Sequence, residues 1–260
     1  MTNNNLTNFI KEKIALNDSE IFFEVYENKR YWIKKARETK STNTHKFFYF
    51  IFKIDILLPV KYKSAQESII FETNKIKRLT SFGINMPKII YQDQNHFVLE
   101  DCGETINSYI RQQNLIEDKF YYYINKTIQH LANIHNKNEY HGGAQTRNFT
   151  YKNGDIYTID FEESFDKNIS IKTLQFRDLM LLILSLTKVK VNFKIDYKLI
   201  ILNYIKLTNN NEFIEKLHEF INQLSFFIKL SKINFIYKKM GSDLKSFFNL
   251  IEILKTVDVK

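Results

Sequence analysis

The hydrophobic pattern changes character about a third of the way along the chain. Residues 20–36, "EIFFEVYENKRYWIKKA", hold two β-rich runs, 20–26 and 30–36, split by a short polar turn, and predict a hairpin. In the second run Tyr31 and Ile33 share one face, and Trp32 and Lys34 share the other. Residues 47–58 are apolar and fit a strand or a helix equally well. "SAQESIIFETNKIKRLTSFG" sets Ile69, Ile76 and Leu79 at helical spacing, with Gly83 ending the helix and Pro87 beyond it. "KIIYQDQNHFVLED" predicts two short strands around a polar turn. From 105 onward helices dominate, over 104–114, 117–137, 173–190, 194–208, 211–231 and 242–256. The exception is 148–161, a hairpin turning at "KNGD".

Composition narrows the class. Hydrophobic residues make up 44% of the chain and aromatics 15%, enough for a sizeable core and against global disorder. Only 6 glycines and 2 prolines occur among 260 residues, which argues against a loop-rich all-β protein. No Gly/Ser/Pro linker or internal repeat divides the chain, so one domain or two small lobes sharing a site is expected. The +9 charge comes with heavy use of Lys, Asn, Ile, Phe and Tyr, which reads as coding bias. The competing reading is a partner bearing phosphates: nucleotide, RNA or anionic lipid. The cations are spread evenly, so charge alone does not choose.

Cys102 is the single cysteine, which rules out an internal disulfide and a Cys-rich zinc site. The N-terminal residues carry no apolar signal core, and the most apolar stretches, 47–60 and 179–189, are too short to span a bilayer. A cytoplasmic protein is expected. Residues 47–60 are expected to be a buried element, with peripheral contact at the inner membrane as the alternative.

Several polar residues stand where phosphoryl-transfer chemistry would need them. That chemistry takes a cation on the α/β-phosphates, metal ligands, and a group that positions the nucleophile. Lys34 ends the strand motif "YWIK". Glu72, on the following helix, is the carboxylate suited to pair with it, with Glu67 as competitor. "FVLEDCGETI" is a strand running into an acidic bend, where adenine would bond to backbone near Glu100 and Cys102. "HGGAQTRNF", 141–149, has the outline of a kinase catalytic loop, H-R-D-L-x-x-x-N: His141 would brace it and Asn148 would ligate Mg²⁺. Asp160, 12 positions after Asn148, matches the D-F-G aspartate, with Glu162 in place of the glycine. Asp178 opens a nearly all-apolar helix and would accept hydrogen bonds from the catalytic-loop backbone. His130, His135 and His141 are spaced H-x4-H-x5-H, which does not put two on one helical face, so zinc is not expected.

With these residues in this order, the chain resembles the small bacterial kinase-like proteins grouped with lipopolysaccharide (Kdo/heptose) kinases. More distantly it resembles RIO-type and KEOPS-complex kinases and aminoglycoside phosphotransferases. The resemblance runs over 20–190. It implies an α+β, two-lobe protein-kinase-like fold, with a small antiparallel sheet and one helix in residues 1–101 and a helical lobe in 102–260. It implies ATP and Mg²⁺ as cofactors, and a glycolipid sugar or other small hydroxyl acceptor.

Three departures qualify that implication. No G-x-G-x-x-G loop precedes Lys34, where "YENKR" fills the hairpin. Asp178 lies 18 positions after Asp160 with no A-P-E motif between, too short a segment for peptide docking. Gly143 stands where the catalytic aspartate belongs. Glu162 and Glu163 are replacements in sequence terms, Gln145 could orient a hydroxyl, and Arg147 could clamp a phosphate. The alternatives are a nucleotide-binding pseudokinase that serves as an interaction module, and an RNA-associated ATPase of the tRNA-modification kinase type. The mildly basic "LKTVDVK" end counts against the latter, so nucleic acid ranks last among the partners.

Overall fold

The computed structural model describes residues 4–43, 46, 49–50, 53–231, 248 and 250–255. A four-stranded antiparallel sheet of order β1-β2-β4-β3 is built from β1 (Ile21–Tyr26), β2 (Lys29–Lys35), β3 (Ile89–Gln92) and β4 (His96–Glu100). Tyr26 pairs with Lys29, so the β1–β2 loop has two residues, Glu27 and Asn28, both at positive φ (48° and 59°). This is the twist-matched turn of a tight hairpin, made without glycine.

Strand alternation decides what each face of the sheet carries. Tyr31 and Ile33 of β2, with Phe22 and Val98, pack under α1 (Asn4–Leu16) through Ile10, Leu6, Phe9 and Ile14. On the opposite face, Phe97 and Leu99 join Ile69, Ile76 and Leu79 of α2 (Ala65–Ser81), with Trp32 packed against them. Helix α2 begins with a capping box: Ser64 Oγ accepts from Glu67 N–H, and Glu67 Oε2 accepts from Ser64 N–H at 2.8 Å. Glu67 is therefore committed to the cap, and Glu72 is the buried carboxylate on this helix.

The second lobe is helical. α3 (Ile106–Ile110), α4 (Glu117–Asn136), α5 (Ile171–Leu186), α6 (Tyr197–Thr208) and α7 (Glu212–Ser231) enclose one large core. α5 is apolar on nearly all sides and sits inside it, with Leu179, Met180, Leu182, Ile183 and Leu186 buried. A three-stranded sheet, β5 (Glu104–Thr105), β6 (Phe149–Lys152) and β7 (Asp155–Thr158), lies along the junction of the lobes.

Local details differ from, or add to, the expected elements. The helix expected at 104–114 is shorter, because Glu104 and Thr105 pair with β6 and Thr105 then caps α3. The N-terminal residues form a helix that covers the sheet. Of the apolar 47–60 segment, Tyr49 and Phe50 are helical, Asp55–Leu57 form a short 3-10 turn, and the expected burial holds at three apolar positions. Ile54 and Ile56 enter the large core and Leu58 packs with Phe165 and Leu174, while 47, 48, 51 and 52 lie outside the described residues. The helix expected at 242–256 also lies partly outside them, and 250–254 is helical. No described helix is long and apolar enough to cross a membrane.

Candidate active site

β2, α2 and the chain after β7 converge on Lys34. Its Nζ donates to Glu72 Oε1 and Oε2 (3.0 and 2.8 Å) and to Asp160 Oδ1 (2.9 Å), and lies 2.8 Å from Glu162 Oε1. The Lys34 side chain is 12% exposed and that of Glu72 only 3%, whereas Asp160 is 36% exposed and faces the opening. Burial lowers the Lys34 pKa, but the Glu72, Asp160 and Glu162 carboxylates outweigh it and hold the pKa well above the ordinary lysine value. Asp160 is displaced the other way: burial opposes its charge, and Lys34 nevertheless keeps it more acidic than an ordinary aspartate. Glu72 Oε1 also accepts from Phe161 N–H at 3.2 Å, so the residue after Asp160 is fixed to the same carboxylate. Asp160 has φ +67°, a left-handed conformation that is sparsely populated by non-glycine residues.

A cavity of about 380 Å³ opens beside this cluster. Trp32, Pro87, Leu99, Cys102, Thr150 and Ile159 line its apolar part, and Lys34, Glu72, Asn148 and Asp160 its polar end. Trp32 Nε1 donates to Asp101 Oδ1 at 2.9 Å, which fixes the indole as one wall. Glu100 and Cys102 both border the cavity, and among the described residues no backbone–backbone hydrogen bond engages Cys102. The Cys102 thiol accepts from Thr150 Oγ1, and burial pushes its pKa up to about 11.

The loop 141–148 is bolted to α5. Asp178, fully buried, accepts from His141 N–H and from Gly142 N–H at 2.9 Å, and lies 3.4 Å from His135 Nε2. Arg177 Nη1 donates to the Gly142 carbonyl. The His141 ring stacks on Phe161 (centroids 4.8 Å apart) and its Nδ1 accepts from Gly143 N–H at 3.1 Å. Burial lowers the His141 pKa to about 4, so the ring is neutral. Asn148 Nδ2 donates to the Gly143 carbonyl at 2.8 Å, which turns its amide nitrogen inward. Its other amide atom, Oδ1, is an oxygen donor of the type that Mg²⁺ accepts, beside the Asp160 carboxylate in the same cavity. Mg²⁺ characteristically uses one or two protein oxygens together with phosphates and water, so this donor set fits it.

Of the sequence-predicted residues, Lys34, Glu72, Glu100, Cys102, Asn148 and Asp160 line the cavity, and His141 lies behind it. His130 and His135 are engaged elsewhere, with Thr158 and with Tyr204 and Asp178. Three cations escaped the sequence reading. Lys75 is fully buried, donates to the His141 carbonyl at 3.0 Å and lies 3.7 Å over the Tyr140 ring, and burial lowers its pKa to about 7. Arg37 clamps Glu162 with two contacts of 3.0 and 2.7 Å. Arg177 joins the loop to Glu163 at 2.9 Å. Lys75 could have been found, because it stands three residues after Glu72 and one before Ile76 on the inward side of α2.

No family model matches the chain. An uncharacterized protein of Haemophilus influenzae (strain KW20/Rd) is 26% identical over 163 residues, 62% of this chain. The chain's match spans 61% of that curated relative's length. Among solved structures, WaaP in complex with acyl carrier protein is similar with a TM-score of 0.50 at 11% identity, covering 85% of this chain and 90% of that one. An ADP-bound aminoglycoside phosphotransferase, APH(2'')-Ib, gives 0.39 at 11% identity (96% and 98% covered), and the MAP kinase LmaMPK10 of Leishmania major gives 0.41 at 12% (98% and 84%). With a small antiparallel sheet over a helical lobe, and the likeness to WaaP over most of both chains, the chain has the two-lobe protein-kinase-like fold.

Proposed function

We propose that the chain is an ATP- and Mg²⁺-dependent phosphotransferase acting on a hydroxyl of a glycolipid sugar or another small acceptor. The observation that carries this reading is the convergence of Lys34, Glu72 and Asp160 at the mouth of a cavity that Asn148 also lines. Lys34 holds the α- and β-phosphates and Glu72 keeps it extended. Adenine bonds to the backbone near Glu100 and Cys102 against Trp32. Asn148 and Asp160 hold the metal, and His141 braces the loop behind Phe161. Mg²⁺, when bound, neutralises charge on the β- and γ-phosphate oxygens.

The acceptor class rests on the short segment after Asp160. Ser164 takes Lys61 N–H on its carbonyl (2.7 Å) and Lys63 Nζ on its hydroxyl (2.8 Å). That segment is tied to the 61–63 strip and offers no long platform for a peptide. The test is ADP release with sugar, glycolipid and RNA acceptors. Acceptor-dependent release that disappears in Asp160→Ala is expected, and release with no acceptor of any class would overturn the reading. A second reading, a nucleotide-binding pseudokinase, is favoured by Gly143 and by the tight Glu27–Asn28 turn, which lacks glycine. Turnover lost in Asp160→Ala would end it.

A further inference from the structure

The gap at Gly143 is not empty space. A Cβ built on Gly143 would meet Glu163 Cδ and Oε1, each at 3.6 Å, and Asn148 Nδ2 at 3.7 Å. The Glu163 carboxylate therefore lies in van der Waals contact with the point from which a loop aspartate side chain would start. The preceding loop glycine serves that approach. Gly142 has φ +106°, and a Cβ there would fall 3.0 Å from the Glu163 carbonyl and 3.2 Å from its Cβ, so only glycine lets the Glu163 backbone lie on the loop. At Gly143 the Glu163 side chain stands at ordinary van der Waals distance from the loop. Arg177 completes the arrangement: one guanidinium nitrogen donates to the Gly142 carbonyl and another lies 2.9 Å from Glu163 Oε2. Oε1 is left on the Gly143 side, and the Glu163 side chain is 34% exposed.

Resting on the phosphotransferase reading above, we infer that Glu163 is the catalytic base, a carboxylate supplied from the segment after Asp160 in place of the missing loop aspartate. In the transfer step the acceptor hydroxyl oxygen forms a bond to the γ-phosphorus. The bond from that phosphorus to the β–γ bridging oxygen breaks, and ADP leaves with the electron pair. The hydroxyl proton passes to Glu163 Oε1 and from there to solvent. Partial burial raises the Glu163 pKa above the ordinary glutamate value although Arg177 pulls it down, the direction that makes the carboxylate a stronger base.

The experiment compares wild type, Glu163→Gln and the double variant Gly143→Asp/Glu163→Gln for ADP release and for Mg-ATP affinity. Glu163→Gln is expected to release ADP on the order of 10²–10⁴-fold more slowly, with Mg-ATP affinity within about twofold of wild type. Gly143 has no positive φ and its added Cβ meets only ordinary contacts, so the loop backbone accepts a side chain there. The double variant is expected to recover at least ~10-fold over Glu163→Gln, because the carboxylate returns to the same space from the loop. Turnover in Glu163→Gln within twofold of wild type overturns the assignment. So does a loss of turnover matched by an equal loss of Mg-ATP affinity, which would make Glu163 only the counter-ion of Arg177. A double variant that binds Mg-ATP yet stays as slow as Glu163→Gln also overturns it. Wild type that binds Mg-ATP and releases no ADP with any acceptor overturns the phosphotransferase reading and this assignment together.

Discussion

The two sides of the cleft solve their problems differently. On the side proposed to take the nucleotide, Lys34 on a strand meets Glu72 on the next helix and Asp160 after the hairpin, with both carboxylates within 3.0 Å of one ammonium. On the side proposed to take the acceptor, the expected aspartate is absent, and a carboxylate 20 positions later in the chain stands in its neighbourhood. The nucleotide side depends on one charge held by several partners, so it tolerates little change of residue type. The acceptor side depends on where a carboxylate points, and more than one backbone position can deliver it. A departure from a motif is therefore a question about space before it is evidence of lost function.

The largest expected effect breaks the first side. Lys34→Met leaves the nearly inaccessible Glu72 carboxylate without its cation, and should cost about 3–5 kcal/mol of stability in denaturant unfolding and abolish ATP binding. Arg37→Ala, at a side chain 41% exposed, should cost under ~1 kcal/mol in the same measurement.

The next effect is a pH dependence. Burial holds His130 and His141 neutral, each with a pKa of about 4 against an ordinary 6.5. Below the ordinary value the unfolded chain takes up protons that the folded chain refuses, so stability is full above pH 6.5 and is lost as pH falls toward 4. The slope should approach ~1.4 kcal/mol per pH unit for each histidine, and His130→Gln should remove one such contribution from urea midpoints measured between pH 7 and 5.

The smaller effects sharpen the acceptor side. Gly142→Ala forces a Cβ against the Glu163 carbonyl at a positive φ and should destabilise by about 1–3 kcal/mol. Gly143→Ala meets only contacts of 3.6–3.7 Å and should stay within ~0.5 kcal/mol of wild type. Equal thermal shifts for the two alanines would mean that the loop does not rest on Glu163 as described.

Much of this was legible from pattern. The β1–β2 hairpin, the α2 face carrying Ile69, Glu72, Ile76 and Leu79, and the all-apolar α5 follow from periodicities that burial enforces. Asp178 at the head of α5 and Asp160 after β7 were readable because their spacing is set by whole elements. Helix α1 was not read, although Leu6, Phe9, Ile10 and Ile14 recur at helical spacing, because Asn-rich flanks mask so short a stripe. The buried state of Lys75 contradicts what a lysine ordinarily does, and its partners, the His141 carbonyl and the Tyr140 ring, are distant in sequence. The sequence named Glu163 as one of several acids near the gap. Only the fold, through Gly142 and Arg177, distinguishes it from Glu162, which instead joins Lys34 and Arg37.

The most direct test of the central claim is a titration of ATP followed through Trp32, the only tryptophan in the chain and a wall of the cavity, with and without Mg²⁺, in wild type and in Asp160→Ala. A saturable change in emission that needs Mg²⁺ and vanishes in the variant is the predicted result. No saturable change, or one of equal size without Mg²⁺ and in Asp160→Ala, would contradict a working phosphotransferase site at Lys34, Glu72 and Asp160.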